Sequence, residues 1–563
     1  FRLGQEERPV YEEETGRDGY SEINNLRIMN TVIDDSPVQG IEKIGTTTYK
    51  SRYLALGLDE RYKTAWKQKS TKPRWCSGPD SLIPETLPAI RGIFRYKSED
   101  ARIDKLLAVA WNSVYSIDAD TGALTAEPLA WIERNGDVGI NFVAINNKLV
   151  IMDTKRAIKI NHNGDFSRLG VERPVDLYVE QGPYADHANP LFPDDADYLF
   201  GYVAQFYDST NNAYSGTIPV FSDMRQTLYM PDDTTVTKID RIDIYFRGCF
   251  DKNVDGYRLY RTLNMENLGA ADNLFLVRDS ENTNYLHEFN LVQDTWDDTK
   301  LAAQYTTDKS TFLDKKYWGK DVVPYPSAAA SVGYGRLFVF GPEEAGAALL
   351  WGHVDNTGLP HPDEMSPTDS VIVEEGGTTS GKALIEFSAQ LFAFKDDAIF
   401  RVAPLGFGND ASFGTELIYK GVGCINQRCV VVAGDAIVFL DKNGIYKYSG
   451  GEPVLISKEL TNYFRDEVNR SQIHRSFMIH DKDNDAIMVF VPVGDGVTYC
   501  NRCIVGDLRE GTWAIDQTPD LSCGYFDDGD LYVGTPYGQI YKMSFTEYVD
   551  GVNEARSGTG TAT

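Results

Sequence analysis

The sequence predicts an all-β protein: a β-propeller of six or seven blades, interrupted by an inserted fibronectin- or immunoglobulin-like β-sandwich. Three observations predict it. A short hairpin phrase returns along most of the chain, and its spacing is nearly constant except for one long interval. The 563 residues also include 32 Tyr and 27 Phe, and aromatic side chains suit the pleated, half-buried surface of a sheet.

The phrase is a polar or Gly turn, an apolar run, a second turn, and an apolar strand that often ends in Tyr or Phe. It appears as Lys105-Leu-Leu-Ala-Val-Ala-Trp111 followed by Ser113-Val-Tyr-Ser-Ile-Asp118, and as Lys148-Leu-Val-Ile-Met152 followed by Ala157-Ile-Lys-Ile160. Later copies begin at Arg336, Gln390, Ala436, Ala486 and Asp530. The first Leu or Ile of each copy stands at 106, 149, 337, 391, 437, 487 and 531, giving intervals of 43, 188, 54, 46, 50 and 44 residues. All but one lie near the roughly 40–50 residue period of known propeller blades. Neither a recurring Trp-Asp pair nor a kelch glycine pair accompanies the repeat. Asp120-Thr-Gly122, Asn163-Gly164, Asn443-Gly444 and Asp528-Gly529 supply residues that tolerate the positive φ of tight hairpins.

The interval of 188 residues locates an insertion. It opens in an acidic, Pro-containing loop, Gly182 to Pro190, and continues as strand-like segments at Tyr198–Phe206, Lys238–Phe246 and Gly256–Thr262. In the last, Tyr257 and Leu259 alternate with Arg258 and Tyr260, the period of a strand with two unlike faces. The predicted organisation is an N-terminal segment, 1–90, that contributes a propeller strand or blade, first blades at 91–175, the sandwich at 176–325, remaining blades at 326–546, and a tail at 547–563. Closure of a propeller needs a strand from one terminus beside the other, and residues 40–60 are the candidate. Helix is scarce; the best candidate is Ser457 to Asn469, with Ser457 as cap and Leu460, Phe464 and Val468 on one face.

Composition narrows the function. The net charge is −28, from 83 acidic against 55 basic residues, so the surface as a whole repels nucleic acid and anionic membranes. It suits a conduit through which DNA slides without sticking, and it also suits plain solubility. No stretch approaches the roughly 18 apolar residues of a membrane span. Seven scattered Cys residues, at 76, 249, 424, 429, 500, 503 and 523, are too few for a disulfide scaffold and read as reduced, mostly buried thiols.

Each motif that hints at chemistry lacks a component. Gly376-Gly-Thr-Thr-Ser-Gly-Lys-Ala383 nearly spells a phosphate-binding loop, but Ala383 stands where a hydroxyl must hold Mg²⁺. A Gly-rich hairpin loop fits better. Cys500-Asn-Arg-Cys503 and Cys424…Cys429 have ligand spacing, yet Cys503 opens an apolar strand where it serves as a small core residue. Asp118-Ala-Asp-Thr-Gly122 and Asp481-Lys-Asp-Asn-Asp485 resemble calcium-loop fragments without the distal Glu, and Asp-rich hairpin turns explain both. The seven His residues form no His-Glu-x-x-His pair, and no Gly-x-Ser-x-Gly elbow occurs. The chain therefore reads as a non-enzyme; no catalytic, cofactor-binding or metal-binding residue is assigned and no cofactor is implied.

One stretch points to a family. Gly423-Cys-Ile-Asn-Gln-Arg-Cys429 leads into Gly434-Asp-Ala-Ile-Val-Phe-Leu-Asp-Lys-Asn-Gly-Ile-Tyr-Lys-Tyr448, then Gly450-Gly-Glu-Pro-Val-Leu-Ile-Ser457, and later Gly511-Thr-Trp-Ala514. Over Gly421 to Asp516 this resembles the C-terminal half of the tail nozzle, or tail tubular protein B, group of virion proteins from short-tailed bacteriophages. Ser21-Glu-Ile-Asn-Asn-Leu-Arg27 with Gly40, Gly45 and Thr46-Thr-Thr-Tyr49 is similar to the usual opening of such proteins, and Tyr257-Arg-Leu-Tyr-Arg-Thr262 is similar to their inserted sandwich. The chain departs from the family in carrying fewer insertions than many members. The resemblance implies a virion structural protein: a homo-oligomeric ring, typically a hexamer, below the head-to-tail adaptor, in contact with other tail proteins. It would conduct DNA without binding it specifically and assemble in the host bacterial cytoplasm. Two other readings stand beside it, a carbohydrate-binding or carbohydrate-cleaving propeller and a receptor-binding or fibre protein whose sandwich meets a host.

Overall fold

Runs that are apolar on both faces become strands covered on both sides. Lys148–Met152 and Arg336–Pro342 are buried along their whole length, as a continuous apolar run bounded by turns predicts. The computed structural model describes residues 27–29, 32–34, 41–42 and, with internal gaps, 89–543. The chain divides into two compact units, one made of 1–166, 326–349 and 371–563, the other of 167–325 and 350–370.

Seven four-stranded antiparallel sheets occur among the described residues. Sheet I is Ile90–Lys97, Asp104–Ala110, Ser113–Ile117 and Ala130–Trp131; sheet II is Asn141–Ile145, Lys148–Met152, Ala157–Ile160 and Phe166–Arg168. Sheet III is Ser327–Gly333, Arg336–Pro342, Ala348–Trp351 and Ser370–Ile372. Sheet IV is Ala383–Phe387, Gln390–Phe394, Ala398–Pro404 and Phe413–Lys420. Sheet V is Val430–Ala433, Ala436–Asp441, Gly444–Tyr448 and Val454–Leu455. Sheet VI is Phe477–Asp481, Ala486–Val491, Cys500–Asp507 and Thr512–Leu521. Sheet VII is Cys523–Asp527, Asp530–Gly534 and Ile540–Met543, edged by Ile41–Glu42 with Ile41 opposite Met543. The repeat positions 106, 149, 337, 391, 437, 487 and 531 fall one in each sheet, always in its second strand.

Tight turns join first and second strands. Asn146 and Asn147, Tyr334 and Gly335, and Ser388 and Ala389 all have positive φ, the geometry whose twist matches that of the flanking strands. Consecutive sheets then bury apolar faces against each other. Leu107 and Val109 of sheet I share a cluster with Leu149 and Ile151 of sheet II. Phe394, Phe439 and Val489 link sheets IV, V and VI, Phe490 and Val533 link VI and VII, and Ile93 and Tyr532 link I and VII.

Among the described residues the second unit has two larger antiparallel sheets and a two-stranded one, His353–Val354 with Pro360–His361. One of the larger two has three strands, Tyr178–Gln181, Ile242–Arg247 and Phe289–Asp294. The other is built on Tyr198–Asp208, flanked on one side by Ala213–Tyr214 and Gln226–Met230 and on the other by Gly256–Arg261, then Phe275–Glu281. Ile242, Ile244 and Phe246 of the first share one core with Phe200, Phe206 and Leu259 of the second. This unit also takes in residues 350–370, where the sequence pattern places only blades. There Glu364 accepts the Tyr214 N–H at 3.0 Å and the Tyr317 hydroxyl at 2.8 Å.

The helix expected over Ser457–Asn469 is shorter and differently begun. A 3₁₀ turn, Lys458–Leu460, runs into an α-helix at Thr461–Asp466. Ser457 does not cap it; its Oγ accepts the Ile445 N–H at 2.9 Å, so the hydroxyl serves sheet V instead. Leu460, Phe464 and Val468 are buried in the core of sheets IV to VI, as their spacing predicts. The expected loops at 118–122 and 182–190, the phrases at 21–26 and 45–49, and the tail at 547–563 lie outside the described residues.

Candidate functional site

The phrase Gly423–Cys429 forms a turn that leads into the first strand of sheet V, and four of its side chains, Asn426, Gln427, Arg428 and Cys429, bond to backbone outside the turn. A Cβ at Gly423 would run into the Lys395 carbonyl, which instead accepts the Cys424 N–H at 2.9 Å. Asn426 Nδ2 donates to the carbonyls of His474 (2.8 Å) and Ser476 (3.0 Å), while its Oδ1 accepts the Arg428 N–H. Gln427 mimics a strand: Oε1 accepts the Leu384 N–H at 2.7 Å and Nε2 donates to the Leu384 carbonyl at 2.8 Å. Arg428 Nη1 donates to the Ser522 carbonyl at 2.7 Å, and Nη2 to that of Arg475 at 3.3 Å. One seven-residue turn thus ties sheet V to sheets IV and VI and to the start of sheet VII.

Beside this turn is a cavity of about 330 Å³. Its wall comes from first strands, with Phe94 of sheet I, Phe142 of sheet II, Ala330 of sheet III, Phe477 of sheet VI and Tyr525 of sheet VII, together with Arg428. Phe94 and Phe142 stack at 5.1 Å with an interplanar angle of 7°, and Tyr525 lies 5.3 Å from Phe94. Arg91 also lines the cavity, but its charge is committed to Asp153, 2.6 Å away and, like it, buried. Asp153 accepts the N–H groups of Lys155 and Arg156 as well. The same Asp turn recurs at Asp481, which accepts from Asp483 and Asn484, and at Asp507, which accepts from Arg509 and Glu510. A short acceptor side chain facing two successive N–H groups is what such a turn needs, so Asp481 to Asp485 works as a hairpin. Asp441 accepts from Asn443 and Gly423, and burial pushes its carboxyl upward.

The described thiols are buried: Cys424, Cys429, Cys500, Cys503 and Cys523. Burial pushes Cys424, Cys500 and Cys523 up to about 12 and Cys429 well above its usual value, so they are neutral thiols rather than nucleophiles. Cys424 Sγ donates to the Asn426 carbonyl, and Cys429 Sγ to that of Ser476. Among the described residues no group of three or more His, Cys, Asp or Glu side chains converges on one point, and no helix is long and apolar enough to cross a membrane. In the Gly-rich loop, residues 376–379 lie outside the described part. Its end is a strand, Ala383–Phe387, and a Cβ at Gly381 would strike the Phe340 ring. The sequence singled out Arg428 and Gln427 only as part of a family phrase. It gave no signal for Phe94, Phe142 or Tyr525, which belong to separate strands up to several hundred residues apart.

No family model and no curated protein matches the chain. Solved structures align with it at low similarity. A computationally designed protein, Ika8, is 10% identical with a TM-score of 0.34, over 82% of this chain and 98% of its own. BamB from Moraxella catarrhalis is 10% identical with a TM-score of 0.29, over 82% of this chain and 100% of its own. Virginiamycin B lyase from Staphylococcus aureus is 10% identical with a TM-score of 0.26, over 82% of this chain and 97% of its own. What the residues themselves establish is a nearly all-β chain of many small antiparallel sheets.

Proposed function

We propose that this chain is a structural protein of a short-tailed bacteriophage tail, a nozzle or tube subunit that assembles into a DNA-conducting ring. In this reading the seven sheets are the blades of one closed propeller. The Ile90 N–H donates to the Thr535 carbonyl at 3.0 Å, and Ser522 Oγ to the Ile90 carbonyl at 2.6 Å, which supports contact between last blade and first. Pairing of Ile41–Glu42 with Ile540–Met543 supports closure by a strand from the N-terminal part. The second unit is then the inserted sandwich. Its larger sheet runs Gln226–Met230, Tyr198–Asp208, Gly256–Arg261, Phe275–Glu281, the order C′-C-F-G of immunoglobulin-like sandwiches.

The observation that carries the functional reading is the work done by Gly423–Cys429. This phrase, one of the run on which the family resemblance rests, is spent on joining sheets, with side chains bonded to backbone. Such bonding supports an architecture rather than a reaction. The charge of −28 supports a conduit, since a ring of such subunits presents DNA with like charge. The test is mass by light scattering with particle images of the same sample. Rings with a central pore, six subunits around, are expected. A monomer at micromolar concentration, a trimer, or a ring with a basic lumen would overturn the proposal.

A further inference from the structure

We propose that the cavity beside Gly423–Cys429 binds a small organic anion, a carboxylate on a flat apolar body, with Arg428 as its anchor. The site lies within the first unit and does not depend on the virion reading.

Charge selects the anchor of the ligand. A guanidinium has five N–H donors and a permanent charge. Arg428 spends its Nη1 and Nη2 bonds on two carbonyls, which orient the group without neutralising it. Among the described residues it forms no ion pair. The second cation of the wall, Arg91, already has Asp153. The nearby thiols of Cys429, Cys500 and Cys523 are held neutral by burial and supply no counter-charge. Among the described residues, a chain of net charge −28 therefore keeps an oriented cation without an ion pair on the wall of a cavity.

Shape selects the rest of the ligand. At about 330 Å³ the cavity is at the small end of ligand pockets. The parallel Phe94 and Phe142 rings and the neighbouring Tyr525 give it aromatic walls. One guanidinium matches the two oxygens of a carboxylate. A phosphate, more strongly hydrated and without an apolar body, would leave the aromatic walls unused. Gly139 packs against the Arg428 side chain, where a Cβ would collide with the guanidinium, and so helps to fix its orientation.

The experiment is calorimetric titration of the full chain with benzoate, with benzamide as the neutral isostere, and with inorganic phosphate, at low ionic strength. Saturable binding of one benzoate per chain is expected, with benzamide and phosphate at least about tenfold weaker. Arg428→Gln should weaken benzoate at least about tenfold, and Arg428→Lys less. Because Arg428 also bonds to backbone, Ala330→Leu provides a second variant that narrows the cavity and leaves the cation in place; it too should lose benzoate. Three results would each overturn the proposal: no saturable benzoate binding to the parent at millimolar concentration, benzamide or phosphate binding as tightly as benzoate, or undiminished benzoate binding in folded Arg428→Gln or Ala330→Leu protein.

Discussion

At the residue scale, Arg261 shows how a charged side chain comes to lie in a core. The strand Gly256–Arg261 alternates, and the period of two that turns Tyr257 and Leu259 inward also turns Arg261 inward. Arg261 is fully buried, and its Nε lies 2.9 Å from a carboxylate oxygen of Asp294, also fully buried, in the facing sheet. The Phe200 ring lies 4.3 Å from the guanidinium carbon, and the Tyr202 hydroxyl donates to Asp294 at 2.6 Å. Breaking a buried pair strands the remaining charge, at about 3–5 kcal/mol, whereas replacing both partners with apolar groups is often neutral. Asp294→Ala should therefore destabilise the protein by that amount in urea unfolding, and Arg261→Met with Asp294→Leu should restore most of it. A loss under about 1 kcal/mol in the single variant would show that the pair carries no such burden. The alternation was legible in the sequence; the partner was not, because Asp294 is one of 83 acidic residues and nothing local marks it.

At the element scale, the hairpin phrase captures the second and third strands of most sheets and misses most first and fourth strands. The reason is burial. Ala436–Asp441 and Ala486–Val491 are covered on both faces and read as continuous apolar runs. Phe413–Lys420, on a sheet edge, has one buried residue in eight, and its Gly, Thr and Glu break the pattern. Turn chemistry is legible to a similar extent. Gly164 and Gly529 take positive φ as their sequence cues predict, yet Ser388 and Ala389 do so at 51° and 58° with no cue at all. A left-handed conformation costs an ordinary residue about 1–2 kcal/mol, here imposed by the pairing of Phe387 with Gln390. Ser388→Asn with Ala389→Gly, both exposed positions, should stabilise the protein by about 1 kcal/mol. An unchanged urea midpoint would mean that the turn stores no strain.

At the scale of the whole molecule, the pairing of Ile41–Glu42 with Ile540–Met543 is the contact most distant in sequence among the described strands. If it closes the ring, a chain shortened to begin after residue 45 loses the outer strand of sheet VII. Its melting temperature should fall, and the amides of Ile540–Met543 should lose protection from hydrogen exchange while those of sheet IV keep theirs. Unaltered protection there would remove the closing role. The sequence by itself determined the all-β character, the period of the repeat and the place of its interruption, because these follow from which runs are apolar and which residues permit turns. Only the tertiary structure decided which first strands bring Phe94, Phe142 and Tyr525 to one cavity, and that Arg428 is held there by carbonyls with no ion pair among the described residues. Those facts depend on contacts between residues far apart in sequence, and local pattern constrains the strands without saying which of them meet.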